Sequence, residues 1–162
     1  MIDELKNIVN MRPQRQALLG MDVGRKTIGL AVSNPDQTIA TPVKTIKRTK
    51  FSKDLVVIRA LSDEFEIGGY VMGYPLNMDG SKGPSCQSVY DFAAEFEKQM
   101  GVEDMWIALW DERLSTVHVE ELVDESVGIS KRSAKSRGIT DQLAAQVILQ
   151  SALDYIARVG AP

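Results

Sequence analysis

The chain has 162 residues, of which 44% are hydrophobic and 25% are charged, with a net charge of −3 and an isoelectric point near 5.2. These values are typical of a single globular domain with a sizeable core, and they argue against indiscriminate binding of nucleic acids. One cysteine, Cys86, and one histidine, His118, exclude an internal disulfide and any histidine-rich or thiolate metal site. A metal ion would therefore need oxygen ligands.

The sequence contains neither a membrane span nor a recognisable signal peptide. No apolar run approaches the roughly 18 to 20 residues that cross a bilayer, and the first residues lack a basic region followed by an apolar core. We therefore expect a cytoplasmic protein with no membrane partner. Residues 1–16 are expected to form a peripheral N-terminal extension, followed by one domain over residues 17–159. The sequence does not determine the oligomeric state.

Hydrophobic periodicity predicts alternating strands and helices. Three successive strands joined by tight turns indicate an antiparallel meander, and two further strands follow helical crossovers. The predicted strands are 17–23, 27–33, 38–47, 70–73 and 105–110, and the predicted helices are 53–65, 89–100, 116–125 and 140–156. Gly68 and Gly69 are expected to end the first helix, and turn-forming residues at 75–84 predict a functional loop. This order predicts an α/β fold with a mixed five-stranded sheet flanked by helices.

Acidic residues lie at or near the predicted ends of two strands and at the start of the last helix. Asp22 lies near the end of the first strand, and Asp111 and Glu112 follow the fifth. Ligands in α/β sheets collect at the carboxyl ends of strands. Asp141 opens the final helix. If the fold brings three of these acids together, their repulsion raises their pKa values until divalent cations neutralise the site.

Simpler structural roles are also open for two of these acids. Asp22 could close a hairpin turn in which Gly24 adopts a positive φ. Asp141 could serve only as a favourable charge at a helix N-terminus.

Basic residues are concentrated in two runs. These are Lys44, Lys47, Arg48, Lys50 and Lys53, and Lys131, Arg132, Lys135 and Arg137. Each run either forms a solvated face or binds the phosphates of a nucleic acid.

Four ordered motifs resemble the signatures of the YqgF/RuvX family. They are Leu19-Gly20-Met21-Asp22-Val23-Gly24-Arg25-Lys26-Thr27-Ile28-Gly29, Gly73-Tyr74-Pro75-Leu76-Asn77-Met78-Asp79-Gly80, Trp110-Asp111-Glu112-Arg113-Leu114-Ser115-Thr116 and Asp141-Gln142-Leu143-Ala144-Ala145. This family is similar to the RuvC resolvases of the ribonuclease H-like superfamily. Its members are described as Holliday junction resolvases or pre-16S rRNA nucleases. The resemblance implies a five-stranded ribonuclease H-like sheet and action on ribosomal RNA precursors or branched DNA.

The resemblance also implies roles for individual residues. Asp22, Glu112 and Asp141 would be the catalytic metal ligands, with Asp111 as the alternative to Glu112. Because adjacent strand residues face opposite sides, only one of Asp111 and Glu112 should face the metal, and the other could pair with Arg113 or cap the helix at Ser115 and Thr116. Mg²⁺ or Mn²⁺, as two ions, would be the cofactor. The expected substrate contacts are Arg25, Lys26, Asn77, Arg113, Lys135 and Arg137, although turn chemistry explains Asn77 and Asp79 equally well.

The chemistry implied is hydrolysis of a phosphodiester bond by a water that the metal ions activate. A Ser-His-Asp mechanism is not expected, because His118 is the only histidine. The predicted function is a metal-dependent endonuclease for the 5′ end of pre-16S rRNA, with the small-subunit precursor as a partner. The alternatives are a resolvase acting on branched DNA, a non-catalytic module that binds RNA or the ribosome, and an actin-like ATPase, which this short chain disfavours.

Overall fold

In the computed structural model of the protein, the structure is described for residues 1–114 and 139–159. Its strands are β1 (Ile2–Glu4), β2 (Ala17–Val23), β3 (Thr27–Ser33), β4 (Ala40–Lys47), β5 (Ile67–Tyr74) and β6 (Trp106–Asp111). Its α-helices are α1 (Leu5–Ile8), α2 (Phe51–Glu64), α3 (Pro84–Met100) and α4 (Ile139–Val159). Short 3-10 turns follow α1 and β6, at Val9–Met11 and Glu112–Leu114.

The strands form one mixed sheet in the order β1-β6-β5-β2-β3-β4. The pairs β2–β3 and β3–β4 are antiparallel, which confirms the predicted meander. The pairs β2–β5, β5–β6 and β1–β6 are parallel. The carboxyl ends of β2, β5 and β6 therefore lie at the same edge of the sheet.

Within residues 1–114 and 139–159 the sheet has six strands rather than the predicted five, because the N-terminal segment adds an edge strand. Residues 2–4 pair in parallel with β6, and the Ile107 amide donates to the Met1 carbonyl at 2.9 Å. Leu5 and Ile8 are buried, and the indole of Trp106 donates to the Ile8 carbonyl at 2.9 Å. The expected peripheral position of this segment is wrong, since it completes the core beside β6.

The first long helix ends without help from glycine. After α2 ends at Glu64, the Phe65 amide donates to the Leu61 carbonyl, and Glu66 turns the chain at a φ of 52°. Gly68 and Gly69 then lie inside β5. Their predicted role as helix terminators is wrong, because Glu66 itself adopts the left-handed conformation.

Two hydrophobic layers cover the sheet. Helices α2 and α3 pack on one face around a core that includes Leu30, Tyr70 and Phe96. Helix α4 packs on the other face, where Ala145 and Leu149 are fully buried. Within residues 1–114 and 139–159, none of the helices combines the length and the apolar character that spanning a bilayer requires.

Candidate active site

Strand topology brings two of the predicted acids to one edge of the sheet. Asp22 is the next-to-last residue of β2 and lies opposite Gly29 of β3. Glu112 directly follows β6, whose last residue, Asp111, lies opposite Tyr74 at the end of β5. Because β2, β5 and β6 run parallel, Asp22 and Glu112 leave the sheet at the same edge.

Asp22 and Glu112 form a hydrogen-bonded carboxyl pair. Burial raises the pKa of Asp22 from 3.8 to about 6, the charge of Asp141 adds to the rise, and the hydrogen bond from Glu112 opposes it. Burial also raises the pKa of Glu112 from 4.5 to about 7, and both the charge of Asp22 and the hydrogen bond to it contribute. Because the two carboxyls interact, the proton between them belongs to the pair, and the pair keeps it to a higher pH than a free carboxyl does.

Two glycines provide the space in which these groups meet. A β-carbon at Gly73 would lie 2.3 Å from Oε1 of Glu112 and 2.7 Å from Cδ1 of Ile148 in α4. A β-carbon at Gly29 would lie 1.9 Å from the backbone oxygen of Asp141. The missing side chains let Glu112 fold over β5 and let the first turn of α4 rest directly on β3.

Asp141 lies near the Asp22–Glu112 pair, but the three acids do not form one compact cluster. It is in the first turn of α4, and its charge is close enough to raise the pKa of Asp22. Among the residues that the structure describes, no three acidic, histidine or cysteine side chains are grouped closely enough to hold a metal ion. The structure thus joins Asp22 to Glu112 and places Asp141 beside them, where its charge also suits a helix N-terminus.

Asp111 is bound to Arg113. The Arg113 guanidinium donates to both carboxylate oxygens of Asp111 at 2.6–3.0 Å, and the Arg113 amide donates at 3.0 Å. Burial raises the pKa of Asp111, but these hydrogen bonds outweigh it and hold the pKa below its usual value. The Nη1 atom of Arg113 also donates to the carbonyl of Met78 at 3.3 Å. Of the two adjacent acids, Glu112 contacts Asp22 and Asp111 holds Arg113.

The loop between β5 and α3 is held by its own polar side chains. The Asn77 amide group donates to the Ser81 hydroxyl at 3.0 Å, and Asp79 accepts hydrogen bonds from the Ser81 amide and hydroxyl at 2.9 and 2.6 Å. Gly80 turns the chain at a φ of 87°. Asn77 and Asp79 are exposed and act as turn residues here, and a contact of Asn77 with substrate stays a prediction.

The β2–β3 turn, which follows Asp22 in the chain, presents two exposed cations, Arg25 and Lys26. The Gly24 amide donates to the Thr27 carbonyl at 2.9 Å, and Gly24 is not among the described residues with a positive φ, contrary to the simple turn interpretation. Arg48 supports the turn: its Nη1 atom donates to the Gly24 carbonyl at 2.7 Å and its amide to the Lys26 carbonyl at 2.8 Å.

Several predicted features lie outside the described residues. They are the capping residues Ser115 and Thr116, the helix at 116–125 with His118, and the second basic run with Lys135 and Arg137. Their predicted roles stay predictions.

Sequence reasoning missed three positions that build the site. Glycines inside strands mark close approaches of neighbouring groups, so Gly29 and Gly73 carried a readable signal. The sequence pattern identifies Arg48 only as part of a basic run. Its specific function, holding the β2–β3 turn, depends on contacts across 24 residues of sequence.

The order and directions of the strands, with helices on both faces of the sheet, give the chain a ribonuclease H-like fold. The yeast mitochondrial Holliday junction resolvase Ydc2 has the same fold, with a TM-score of 0.53 and 11% sequence identity. That comparison covers 96% of this chain and 85% of the resolvase. The observed sheet contains the five predicted strands and, in addition, the edge strand β1.

Sequence comparison identifies the family. Residues 16–155 match the family described as "RuvX: Holliday junction resolvase". The chain is 46% identical to a "Putative pre-16S rRNA nuclease" of Nitrobacter hamburgensis, covering 90% of this chain and 85% of the relative. It is 49% identical to a protein of the same description from Paramagnetospirillum magneticum, covering 86% of each. The chain belongs to the RuvX family.

Proposed function

We propose that this protein is a metal-dependent endonuclease that hydrolyses phosphodiester bonds at the 5′ end of pre-16S rRNA during ribosome biogenesis. The observation that carries the proposal is the hydrogen-bonded pair of Asp22 and Glu112 at the carboxyl edge of the sheet. The names of the curated relatives support ribosomal RNA as the substrate. Action on a small-subunit precursor would place the protein in the cytoplasm.

The acids suit a divalent cation by the chemistry of their donor atoms. Carboxylate oxygens are the ligands that Mg²⁺ and Mn²⁺ prefer. The raised pKa values of Asp22 and Glu112 mean that ionising both acids is costly in the protein alone, and a cation would remove that cost. Asp22 and Glu112 would hold the metal, with Asp141 as the third ligand of a two-ion site.

Bound ions would supply charge neutralisation at the scissile phosphate and a more acidic water. The chain itself contributes orientation and attraction. Arg113 keeps Asp111 engaged, so that Glu112 alone of the two adjacent acids faces Asp22. Arg25 and Lys26 are exposed on the turn that follows β2, the strand that carries Asp22, and are proposed to attract the phosphates of a substrate strand. Lys135 and Arg137 are proposed to add to this attraction.

A resolvase acting on branched DNA is the second candidate, favoured by the description of the matching family. Both functions use the same acids and differ in substrate. A third possibility, a binding module without catalysis, differs in having no turnover.

Parallel cleavage assays separate these functions. Wild type, Asp22→Asn and the exposed control Glu64→Gln are incubated with Mg²⁺ or Mn²⁺ and either a 5′-extended pre-16S rRNA fragment or a four-way DNA junction. We expect cleavage of the RNA that Asp22→Asn abolishes and Glu64→Gln retains. Cleavage of the junction alone would favour the resolvase, and binding of RNA without cleavage by folded wild type would favour the module.

A further inference from the structure

A cleft of about 470 Å³ lies next to the end of β6. Its walls are the start of the chain around Lys6, the loop between β5 and α3 around Lys82, the end of β6, and the last turns of α4. The ion pair of Arg113 and Asp111 forms part of the wall. Since Glu112 directly follows Asp111, the cleft is adjacent to the proposed active site along the chain.

The cleft is electropositive. Lys6, Lys82 and Arg158 line it, and none of them forms an ion pair within the part of the chain that the structure describes. Glu4 contributes one opposing charge, while Arg113 and Asp111 neutralise each other.

Lys6 and Lys82 line the cleft from different segments of the chain, and the charges of both act on Asp3. Hydrogen bonds from Asn7 and the Glu4 amide lower the pKa of Asp3, and the charges of Lys82 and Lys6 lower it further. Both ammonium groups therefore lie within electrostatic reach of Asp3, and the three cations Lys6, Lys82 and Arg158 outnumber the two acids Glu4 and Asp3. An anion of the size of a phosphate diester suits this region.

One wall of the cleft is aromatic. Tyr155 of α4 is partly exposed and lies against the buried Trp110, with ring centroids 5.6 Å apart. Tyr155 therefore presents a partly exposed aromatic ring to the cleft. Aromatic rings beside cations bind nucleotides by stacking the base and holding the phosphate.

We propose that this cleft binds one nucleotide of the substrate strand, with its phosphate among Lys6, Lys82 and Arg158 and its base against Tyr155. This inference rests on the proposed function, because it takes the strand that occupies the active site to continue over the end of β6. It adds a subsite that holds the substrate one or more nucleotides away from the cleaved bond. The site would recognise a base and its phosphate, and a free mononucleotide contains both of these groups.

The test measures binding rather than cleavage. It uses the full chain carrying Asp22→Asn so that the RNA stays intact. Affinity is measured for a short single-stranded RNA and for adenosine monophosphate. In this background Tyr155→Leu is compared with Tyr155→Phe, and Lys82→Glu with the exposed control Lys98→Glu on α3. The RNA also carries 5-bromouridine, and the crosslinked residue is identified by mass spectrometry.

We expect a crosslink at Tyr155. Tyr155→Leu should weaken RNA binding about five- to hundredfold, the range produced by losing one stacked base, whereas Tyr155→Phe preserves it. Lys82→Glu should weaken binding more than Lys98→Glu. Equal effects of the two lysine variants with no crosslink at Tyr155 would overturn the proposal. So would binding of adenosine monophosphate, but not RNA, that depends on Tyr155.

Failure of the subsite and failure of the nuclease function give different results. If the crosslink and the affinity pattern are found while wild type cleaves no substrate, the subsite stands and the proposed function falls. If wild type cleaves RNA while the Tyr155 and Lys82 variants bind like their controls, the reverse holds.

Discussion

Replacing Glu112 by glutamine is expected to stabilise the metal-free protein above pH 7 and to change its stability little near pH 4. In the folded protein the pKa values of Asp22 and Glu112 lie above their ordinary values. Between about pH 4 and pH 7 the folded state therefore binds more protons than the unfolded state, and stability falls as pH rises through this window. Glutamine cannot ionise, yet it can still donate a hydrogen bond to Asp22.

The magnitude follows from the raised pKa values. A rise from 4.5 to about 7 for Glu112 corresponds to about 3 kcal/mol of lost stability once the group is ionised. The rise for Asp22 contains the same mutual repulsion, so the two costs do not add in full. Because Glu112 is partly exposed, solvent reduces the effect. We expect Glu112→Gln to gain about 2 kcal/mol at pH 8, or about 4–8 °C in Tm.

Urea unfolding in the presence of a chelator, followed by circular dichroism at several pH values between 4 and 8, measures this gain. Glu64→Gln on the exposed surface of α2 is the matched control and should follow wild type throughout. The reasoning is refuted if the stability difference between Glu112→Gln and wild type is the same at both ends of the pH range, or if the variant is less stable than wild type at pH 8.

Three further predictions concern the same edge of the sheet. Mn²⁺ should raise the Tm of wild type more at pH 8 than at pH 6 and should not raise that of Asp22→Asn, because protons and the metal ion compete for the carboxylates of Asp22 and Glu112. Equal shifts of the wild-type Tm at the two pH values in scanning calorimetry would contradict this. Gly29→Ala should lower the free energy of unfolding by about 2–3 kcal/mol, because the added β-carbon meets the backbone of α4; equal stability of this variant and wild type in urea would disprove this. Gly73→Ala should fold but cleave about a hundredfold more slowly, because the added β-carbon displaces the Glu112 carboxylate; full activity of this variant would disprove that. Arg25→Ala with Lys26→Ala should reduce the salt dependence of RNA affinity, and an unchanged slope in a titration against salt would exclude the turn from phosphate binding.

Much of the fold could be predicted because its signals are local. The apolar runs of β2 and β3 reflect burial of both faces of these strands, and the helical spacing in α2, α3 and α4 reflects burial of one stripe of each helix. Each signal can be recognised within about ten residues. Strand β1 could not be predicted in this way. It has only three residues, and its partner is Ile107 and its neighbours, about a hundred positions further along the chain.

Part of the candidate site could also be predicted from local sequence patterns. Alternation along β6 predicts that Asp111 and Glu112 point to opposite sides, which the Arg113 and Asp22 contacts match. The proximity of Asp141 to Asp22 depends on how closely α4 approaches the sheet. That distance is determined by the absence of a side chain at one strand position, and no local periodicity encodes it.

The most direct measurement of the central claim is the Mn²⁺-dependent cleavage rate of a 5′-extended pre-16S rRNA fragment by Glu112→Gln and by Asp111→Asn. These neighbouring substitutions change the same kind of group, but only Glu112 contacts Asp22. We predict that Glu112→Gln abolishes cleavage while Asp111→Asn, whose partner is Arg113, retains a measurable rate. Loss of cleavage in Asp111→Asn with retention in Glu112→Gln would contradict it.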